Sequence, residues 1–356
     1  FFCAVPTSLP INPRGATSVP SAGPYYIASY TPKRLLILRR NPNYSGPRPH
    51  KLAEIVYTLG VSRDTTLRQV ERGAADYAVG ALPETADARV AQRFGPESPA
   101  AKAGAQRYFV NPTLNLIFLS LNTARPLFRD VKLRKAVNFA VDRSALASLS
   151  GIFSGDPTDQ YLAPGFPGFT NADIYPLKPD LVRARRLAGG RGGTAVFYTP
   201  AIPGALEQAQ ILQANLRAIG IDLVIKQFPF DELYSRAGRR GEPFDIVFGG
   251  WAPDYPDPGN VLNVLFDGSS IRPEGNPNSS YFNDGGSNKR LQAAARRSGP
   301  RRYAEYGRLD ISLARDAAPL VALYTLTQRD FFSARIGCQV YNPIYGMDIA
   351  ALCLRR

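Results

Sequence analysis

The chain has 356 residues, of which 44% are hydrophobic and 20% charged, and it carries a net charge of +14. That length exceeds what one hydrophobic core usually serves, so two lobes of roughly 100–200 residues each are expected. No apolar run approaches the roughly 20 residues of a membrane-spanning helix, and the arginines between Arg183 and Arg302 fall in separate predicted helices without aromatic interleaving, which favours a solvated surface over a nucleic-acid footprint.

The opening residues, Phe1-Phe2-Cys3-Ala4-Val5-Pro6, contain neither a start methionine nor the pattern of a signal peptide. The natural N-terminus, with any export signal or lipid anchor, is expected upstream. Cys3, Cys338 and Cys353 are odd in number and lack C-x-x-C spacing, which argues against a redox motif or a zinc site. Buried packing is the expected role of all three. A Cys338–Cys353 disulfide is an alternative that the sequence does not decide.

In chain order, residues 25–30 and 34–39 predict a hairpin about Thr31-Pro32-Lys33, followed by a Pro/Gly loop over 41–49. A strand at 55–61, a helix at 63–72 closed by Gly73 and a strand at 76–82 predict a βαβ unit with parallel pairing. Residues 83–106 suit a helix and a connecting loop. A strand at 114–121 precedes a helix capped by Asp130 and running through Ser148, whose stripe of Val131, Ala136, Val137, Ala140, Val141, Ser144 and Ala147 faces the core.

The Pro- and Gly-dense stretch 151–179 predicts a long surface loop. A short helix at 181–187 leads to Gly189-Gly190-Arg191-Gly192-Gly193, a turn that precedes a strand and so has the wrong order for a phosphate loop. Strand 194–198, helix 204–219, strand 221–227, helix 231–239 and strand 244–248 form a βαβαβ series, which predicts a parallel sheet with right-handed crossovers. Helices at 288–297 and 300–317 and strands at 320–325 and 329–333 complete the pattern.

Catalysis finds little support in the residue set. The one histidine, His50, sits in a Pro-rich loop beside Lys51 and reads as structural or solvent-facing, and no zinc or P-loop motif occurs. Paired acids such as Asp254 and Asp257 could in principle serve glycosidic acid/base work, but a spacing of three in a Pro-rich loop specifies neither their separation nor their burial. The informative segment runs from Gly249 through Gly250, Trp251, Ala252, Pro253, Asp254, Tyr255, Pro256 and Asp257 to Pro258. It follows the last strand of the parallel series, and ligands collect at the carboxyl ends of such strands. Trp251, the one tryptophan, offers a rigid surface and Asp254 a charge that would pair with a ligand ammonium. A core tryptophan with turn-forming aspartates is the equal alternative.

Several ordered motifs resemble the oligopeptide and dipeptide-binding family of ABC-importer solute-binding proteins. They are Gly23-Pro24-Tyr25 with Arg39-Arg40-Asn41-Pro42-Asn43-Tyr44, Gly73-Ala74-Ala75-Asp76, Leu121-Asn122-Thr123, the run from Pro126 to Arg143, Phe244-Asp245, and Gly250-Trp251 with Asp254. The resemblance implies an α/β, two-lobed periplasmic-binding-protein-like fold of type II, with mostly parallel sheets flanked by helices. It maps residues 1–110 and 325–356 onto the first lobe and 111–324 onto the second. The family's opening strands have no counterpart here.

It further implies a ligand site at Gly250, Trp251, Ala252, Asp254 and Tyr255, with Asp254 on a peptide's α-amino group and the peptide backbone added as a strand. Pro253 and Pro256 depart from that pattern by removing two backbone donors. The implied function is capture of short peptides for an ABC permease, outside the cytoplasm, by a monomer without cofactor, metal or catalysis. Nickel chelates, haem and oligosaccharides are other ligands of the family, and a hydrolase using Asp254 and Asp257 is the alternative of a different class.

Overall fold

A computed structural model describes residues 7–9, 12, 19–80, 82–149, 151, 153 and 155–355. Its chain divides into two compact units, one of Phe1–Asn111 with Gln328–Arg356 and one of Pro112–Thr327. The packing expected of Cys3 concerns a residue outside the described set.

The first unit opens with β1 (Tyr25–Thr31) and β2 (Leu35–Arg40), the expected hairpin, turned by Lys33 in the left-handed region at φ 61°. The next strand, β3 (Glu54–Thr58), pairs antiparallel with β2, giving a three-stranded sheet in the order β1-β2-β3. Helix α1 (Arg63–Glu71) is capped by Ser62, whose side chain accepts from Thr65 N–H, and β4 (Tyr77–Ala78) follows. The predicted parallel βαβ unit does not form. The hairpin leaves β2 with an open edge that β3 satisfies locally, so β3 and β4 enter different sheets. Two helices, α2 (Glu84–Phe94) and α3 (Pro99–Lys102), lead to the long strand β5 (Tyr108–Leu121), within which the chain passes into the second unit.

The second unit begins with α4 (Pro126–Arg129), α5 (Val131–Ala140) and α6 (Arg143–Ser148). The single helix predicted from Asp130 to Ser148 is therefore two. Asp130 caps the first by accepting from Lys132 N–H, and Asp142 caps the second by accepting from Ala145 N–H, while Val141 takes an extended backbone between them. The apolar stripe does face inward: Ala136, Val137, Ala140, Val141 and Ala147 are buried.

Residues 155–180 lack regular structure, as expected, but they are not a surface loop. Tyr161, Leu162, Ala163, Phe166 and Tyr175 are buried, and buried side chains take up the backbone donors that no ladder satisfies. Asp310 accepts from Tyr161 N–H at 2.9 Å and from Leu162 N–H at 3.2 Å; Asp159 accepts from Tyr175 N–H at 2.7 Å.

The parallel series follows as α7 (Leu181–Ala188), β6 (Gly193–Pro200), α8 (Ala205–Arg217), β7 (Ile221–Phe228), α9 (Phe230–Ala237) and β8 (Ile246–Trp251). Both β7 and β8 pair parallel with β6. Next come α10 (Gly259–Phe266), α11 (Gly285–Ala295) and α12 (Gly299–Ser312), and a π-helical turn over Leu313–Ala317 carries the last of these on to the predicted end. Strand β9 (Leu320–Phe332) replaces the two strands read at 320–325 and 329–333 and returns the chain to the first unit.

In the second unit the strand order is β9-β5-β8-β6-β7, parallel over β7-β6-β8 and antiparallel where β8 meets β5. Helices α5, α7 and α8 bury their apolar faces on this sheet around Leu119, Phe197, Leu223, Ile246 and Leu323. The family-like run from Pro126 to Arg143 has a physical role here. Arg143 and Asn138, both buried, donate to the β9 carbonyls of Ala322 and Leu320, and Tyr161 Oη donates to Leu320 as well. They cap an edge strand that would otherwise offer free acceptors.

In the first unit β4 pairs antiparallel with the far end of β9, and Tyr77 stacks on Phe332 at 4.4 Å. The chain ends in a small core of Phe332, Ile336, Met347 and Leu352, pinned by a disulfide between Cys338 and Cys353. Simple buried packing of these two cysteines is thus corrected: the antiparallel pair Ile336–Gly337 with Cys353–Leu354 sets their Cα atoms 5.5 Å apart, within bridging distance. Closing a loop across a separation of 15 residues is worth about 3 kcal/mol. Thermal melts in reductant are expected to show a clearly lowered Tm, matched by a Cys338→Ser, Cys353→Ser variant. An unchanged Tm would mean that the small core holds this segment unaided.

Candidate functional site

The carboxyl ends of the parallel strands β6, β7 and β8 lie at one end of the second unit's sheet, and β8 finishes there in Gly249-Gly250-Trp251. The start of β8 is fixed by Asp245, whose carboxylate accepts from Val196 N–H of β6 at 2.9 Å and from Arg125 at 3.1 Å. Asn122 reinforces this by donating to the Phe244 carbonyl at 3.0 Å. The Leu121-Asn122-Thr123 and Phe244-Asp245 motifs therefore set the register of β8 against its neighbours. Their polar side chains are spent on the fold.

Register with β5 places Trp251 opposite Leu116, Gly250 opposite Ile117 and Gly249 opposite Phe118. A Cβ on Gly249 would sit 2.6 Å from the Phe118 ring, so glycine is what lets that ring lie across the strand. Beside this end of β8 is a cavity of about 250 Å³. Its floor is the strand itself, one wall is Tyr234 and Ala237 of α9, another is Leu265 of α10, and the loop 275–279 closes the far side. Buried polar bonds hold that loop: Asn278 N–H donates to Asn276 Oδ1, Asn276 Nδ2 donates to the Asn278 carbonyl, and Ser279 Oγ meets Ser120 Oγ at 2.7 Å. Trp251 Nε1 is buried and has no hydrogen-bond partner among the described residues.

Of the five residues predicted to bind ligand, the structure brings Gly250 and Trp251 to the cavity. Ala252, Asp254 and Tyr255 lie beyond the strand end and are exposed, Tyr255 by 51%. Asp254 is held in orientation by Asn260: its N–H donates to Asn260 Oδ1 at 2.9 Å, and Asn260 Nδ2 reaches Asp254 Oδ2 at 3.4 Å. The walls from α9, α10 and the 275–279 loop escape the sequence reading, because only tertiary packing assembles them. A larger cavity of about 630 Å³ lies elsewhere in the second unit, beside α7 and the 155–180 segment. Two of the four aspartates that line it serve the fold, Asp180 as the α7 cap and Asp159 on Tyr175 N–H.

Asp257 differs from Asp254 in kind. Arg302 of α12 grips its two oxygens at 2.7 and 3.0 Å, and Gly259 N–H donates to it at 2.7 Å. Burial opposes its ionisation, but these donors outweigh burial and hold its carboxyl below the usual carboxylate range. A carboxylate clamped by an arginine and favoured in its ionised form is poorly suited to act as a general acid, which counts against the hydrolytic reading of Asp254 and Asp257. His50 likewise contacts the Arg48 carbonyl and the edge of Tyr44. Asp257→Ala is expected to cost about 1–3 kcal/mol at neutral pH by stranding Arg302. The lowered pKa makes this contribution present above the ordinary carboxylate pKa and lost as pH falls through the folded value. Denaturant titrations should therefore show the gap between wild type and variant narrowing as pH falls below the ordinary carboxylate range; a gap that stays constant through acid pH would assign it to packing.

Comparison with known proteins agrees with this geometry. The family described as Bacterial extracellular solute-binding proteins, family 5 Middle, matches residues 8–272. The chain belongs to this family. Among its relatives, Probable di/tripeptide-binding protein 5 of Pseudomonas aeruginosa is 26% identical over 260 residues, covering 70% of this chain and 46% of the relative. Probable D,D-dipeptide-binding periplasmic protein DdpA of Escherichia coli is 24% identical over 336 residues, covering 92% and 61%. The solved structure of Clavulanic acid biosynthesis oligopeptide binding protein 2 superposes with a TM-score of 0.84 at 24% identity, covering 94% of this chain and 63% of that one. The fold is thus the mixed α/β fold of these binding proteins. The chain spans between about half and two thirds of the length of these relatives.

Proposed function

We propose that this chain is the solute-capturing component of an ABC importer, that it binds short peptides without chemical change and presents them to a membrane permease, and that it acts as a monomer outside the cytoplasm. Two lobes, at residues 1–110 with 325–356 and at 111–324, would close on the ligand, which stabilises the closed state by its differential affinity. The observation that carries the reading is the end of β8: an aromatic platform, Trp251, followed three residues later by an exposed carboxylate, Asp254, oriented by Asn260. Family membership and relatives named for di- and tripeptides support it. The disulfide fits an oxidising compartment.

In this reading Asp254 pairs with the peptide's α-ammonium and the backbone of Gly250 to Ala252 offers strand-like hydrogen bonds. Neither Pro253 nor Pro256 has a backbone donor to add beyond it. Mass spectrometry of small molecules extracted from freshly purified protein tests the class. Peptides of a few residues are expected; a single non-peptide compound in their place would overturn the assignment.

A further inference from the structure

We infer that the larger cavity of the second unit, beside α7, is a second ligand site, and that it takes a small organic cation, one or two protonated amines on an apolar body. This site is separate from the Trp251 and Asp254 end of β8 and does not rest on the peptide-capture reading.

Size gives the first argument. At about 630 Å³ the cavity lies inside the roughly 300–1,000 Å³ of pockets that enclose a whole small molecule. Every residue that lines it belongs to the second unit, so the site needs nothing from the first. Phe139, Phe169, Ile174 and Leu177 give it apolar walls, and Asp156, Asp159, Asp173 and Asp180 give it acid.

Charge gives the second. The chain has 43 lysines and arginines against 29 acidic residues, so cationic partners are plentiful, and aspartates elsewhere find them, as Asp76 does in Arg335 and Asp257 in Arg302. At the cavity none of the four aspartates forms an ion pair among the described residues. Arg183, the one basic residue in the lining, lies instead over the Phe139 ring at 4.1 Å. Buried Arg143 feels the charge of Asp159, but its donors are spent on Asn138 and on the carbonyls of Pro176 and Ala322.

Hydrogen bonding gives the third, and Asp159 decides it. The residue is only 6% exposed, and its Oδ2 accepts from Tyr175 N–H at 2.7 Å. Its Oδ1 makes no hydrogen bond among the described residues and is not sealed in the core, which leaves it to the cavity that Asp159 lines. An acceptor so deeply placed is costly without a donor, and an ammonium in a partly desolvated site supplies a strong one. At the exposed rim, Asp156 makes no side-chain hydrogen bond among the described residues and Asp173 makes one, from Asn171 Nδ2 at 3.0 Å. Two further carboxylates are therefore available to a second amine.

The probe is hexamethylenediamine, titrated calorimetrically into the full chain beside hexylamine, hexanol and hexanoate. The diamine is expected to bind one to one and to raise the Tm, as a ligand of the folded state does. Hexylamine should bind more weakly, and hexanol and hexanoate should not bind. Asp159→Asn keeps an acceptor for Tyr175 N–H while removing the charge, and Asp156→Asn with Asp173→Asn changes only the exposed rim. Each is expected to weaken the diamine at least about tenfold, whereas Asp254→Ala should leave its affinity unchanged.

Binding that survives both sets of variants, or that disappears with Asp254→Ala, would put the diamine elsewhere and overturn the site. Displacement by an equal concentration of magnesium would reduce it to a diffuse counterion cluster and overturn it equally, as would the absence of saturable binding by either amine.

Discussion

Replacing Asp310 with alanine is expected to cost about 3–5 kcal/mol of folding stability. The side chain is wholly buried, and three donors converge on it: the N–H groups of Tyr161 and Leu162 on one oxygen, and Gln160 Nε2 at 3.0 Å on the other. These are the bonds that let a proline-rich segment without regular structure lie inside the protein. Alanine would leave the Tyr161 and Leu162 N–H groups buried and unsatisfied, each at about 1–3 kcal/mol before relaxation, while Gln160 Nε2 keeps its bond to the Thr170 carbonyl. Urea denaturation of the purified variant measures the loss. A value under about 1 kcal/mol would mean that water reaches the segment.

The same residue carries a pH dependence. Burial pushes the Asp310 carboxyl up to about 7, against the hydrogen bonds from Gln160, Tyr161 and Leu162 that pull it down. The folded state then holds a proton that the unfolded state releases near the ordinary value of 3.8. Its contribution is complete below that value and is lost as pH rises through about 7. Wild-type stability should fall from about pH 4 to about pH 7 and level off above that, relative to Asp310→Asn, which cannot ionise.

The second large effect concerns the ligand. Asp254→Ala is expected to weaken binding of peptides with a free amino terminus by about 2–5 kcal/mol if lobe closure desolvates the pair, and by less than about 1 kcal/mol if the pair stays in water. The carboxylate is exposed in this structure, so the size of the effect reports how far the bound state excludes solvent. Calorimetry on the folded variant separates the two. An unchanged affinity would reject Asp254 as the amine anchor. Leaving Asp257 intact matters in this experiment, because its clamp by Arg302 fixes the loop that carries Asp254.

How much of this was legible in the sequence depends on the range of the forces involved. The β6-α8-β7-α9-β8 series follows from local periodicity punctuated by glycines such as Gly220, which turns the chain from α8 into β7 in the left-handed region at φ 84°. The Asp130 cap is equally local. The second cap at Asp142 was there to be read, since an aspartate before Arg143-Ser144-Ala145 is an N-terminal signal, but the apolar stripe runs smoothly across the break and hides it.

Long-range pairing is where the reading failed. Nothing local says that β3 joins a hairpin rather than β4, or that Asp310 reaches back about 150 positions to satisfy Tyr161. The site divides the same way. Trp251 and Asp254 stand out by type and by place at a strand end, whereas Phe118, Tyr234 and Asn276 come to the cavity from three other elements. Helix α10, directly after the site loop, is hidden in the sequence because Pro258 and Gly259 at its start read as more loop.

The most direct measurement is a calorimetric titration of the 356-residue chain with one tripeptide in two forms, with a free amino terminus and N-acetylated. The account predicts saturable one-to-one binding of the free form and a loss of at least about tenfold on acetylation. Equal affinity for the two forms, or no binding of either, would contradict it.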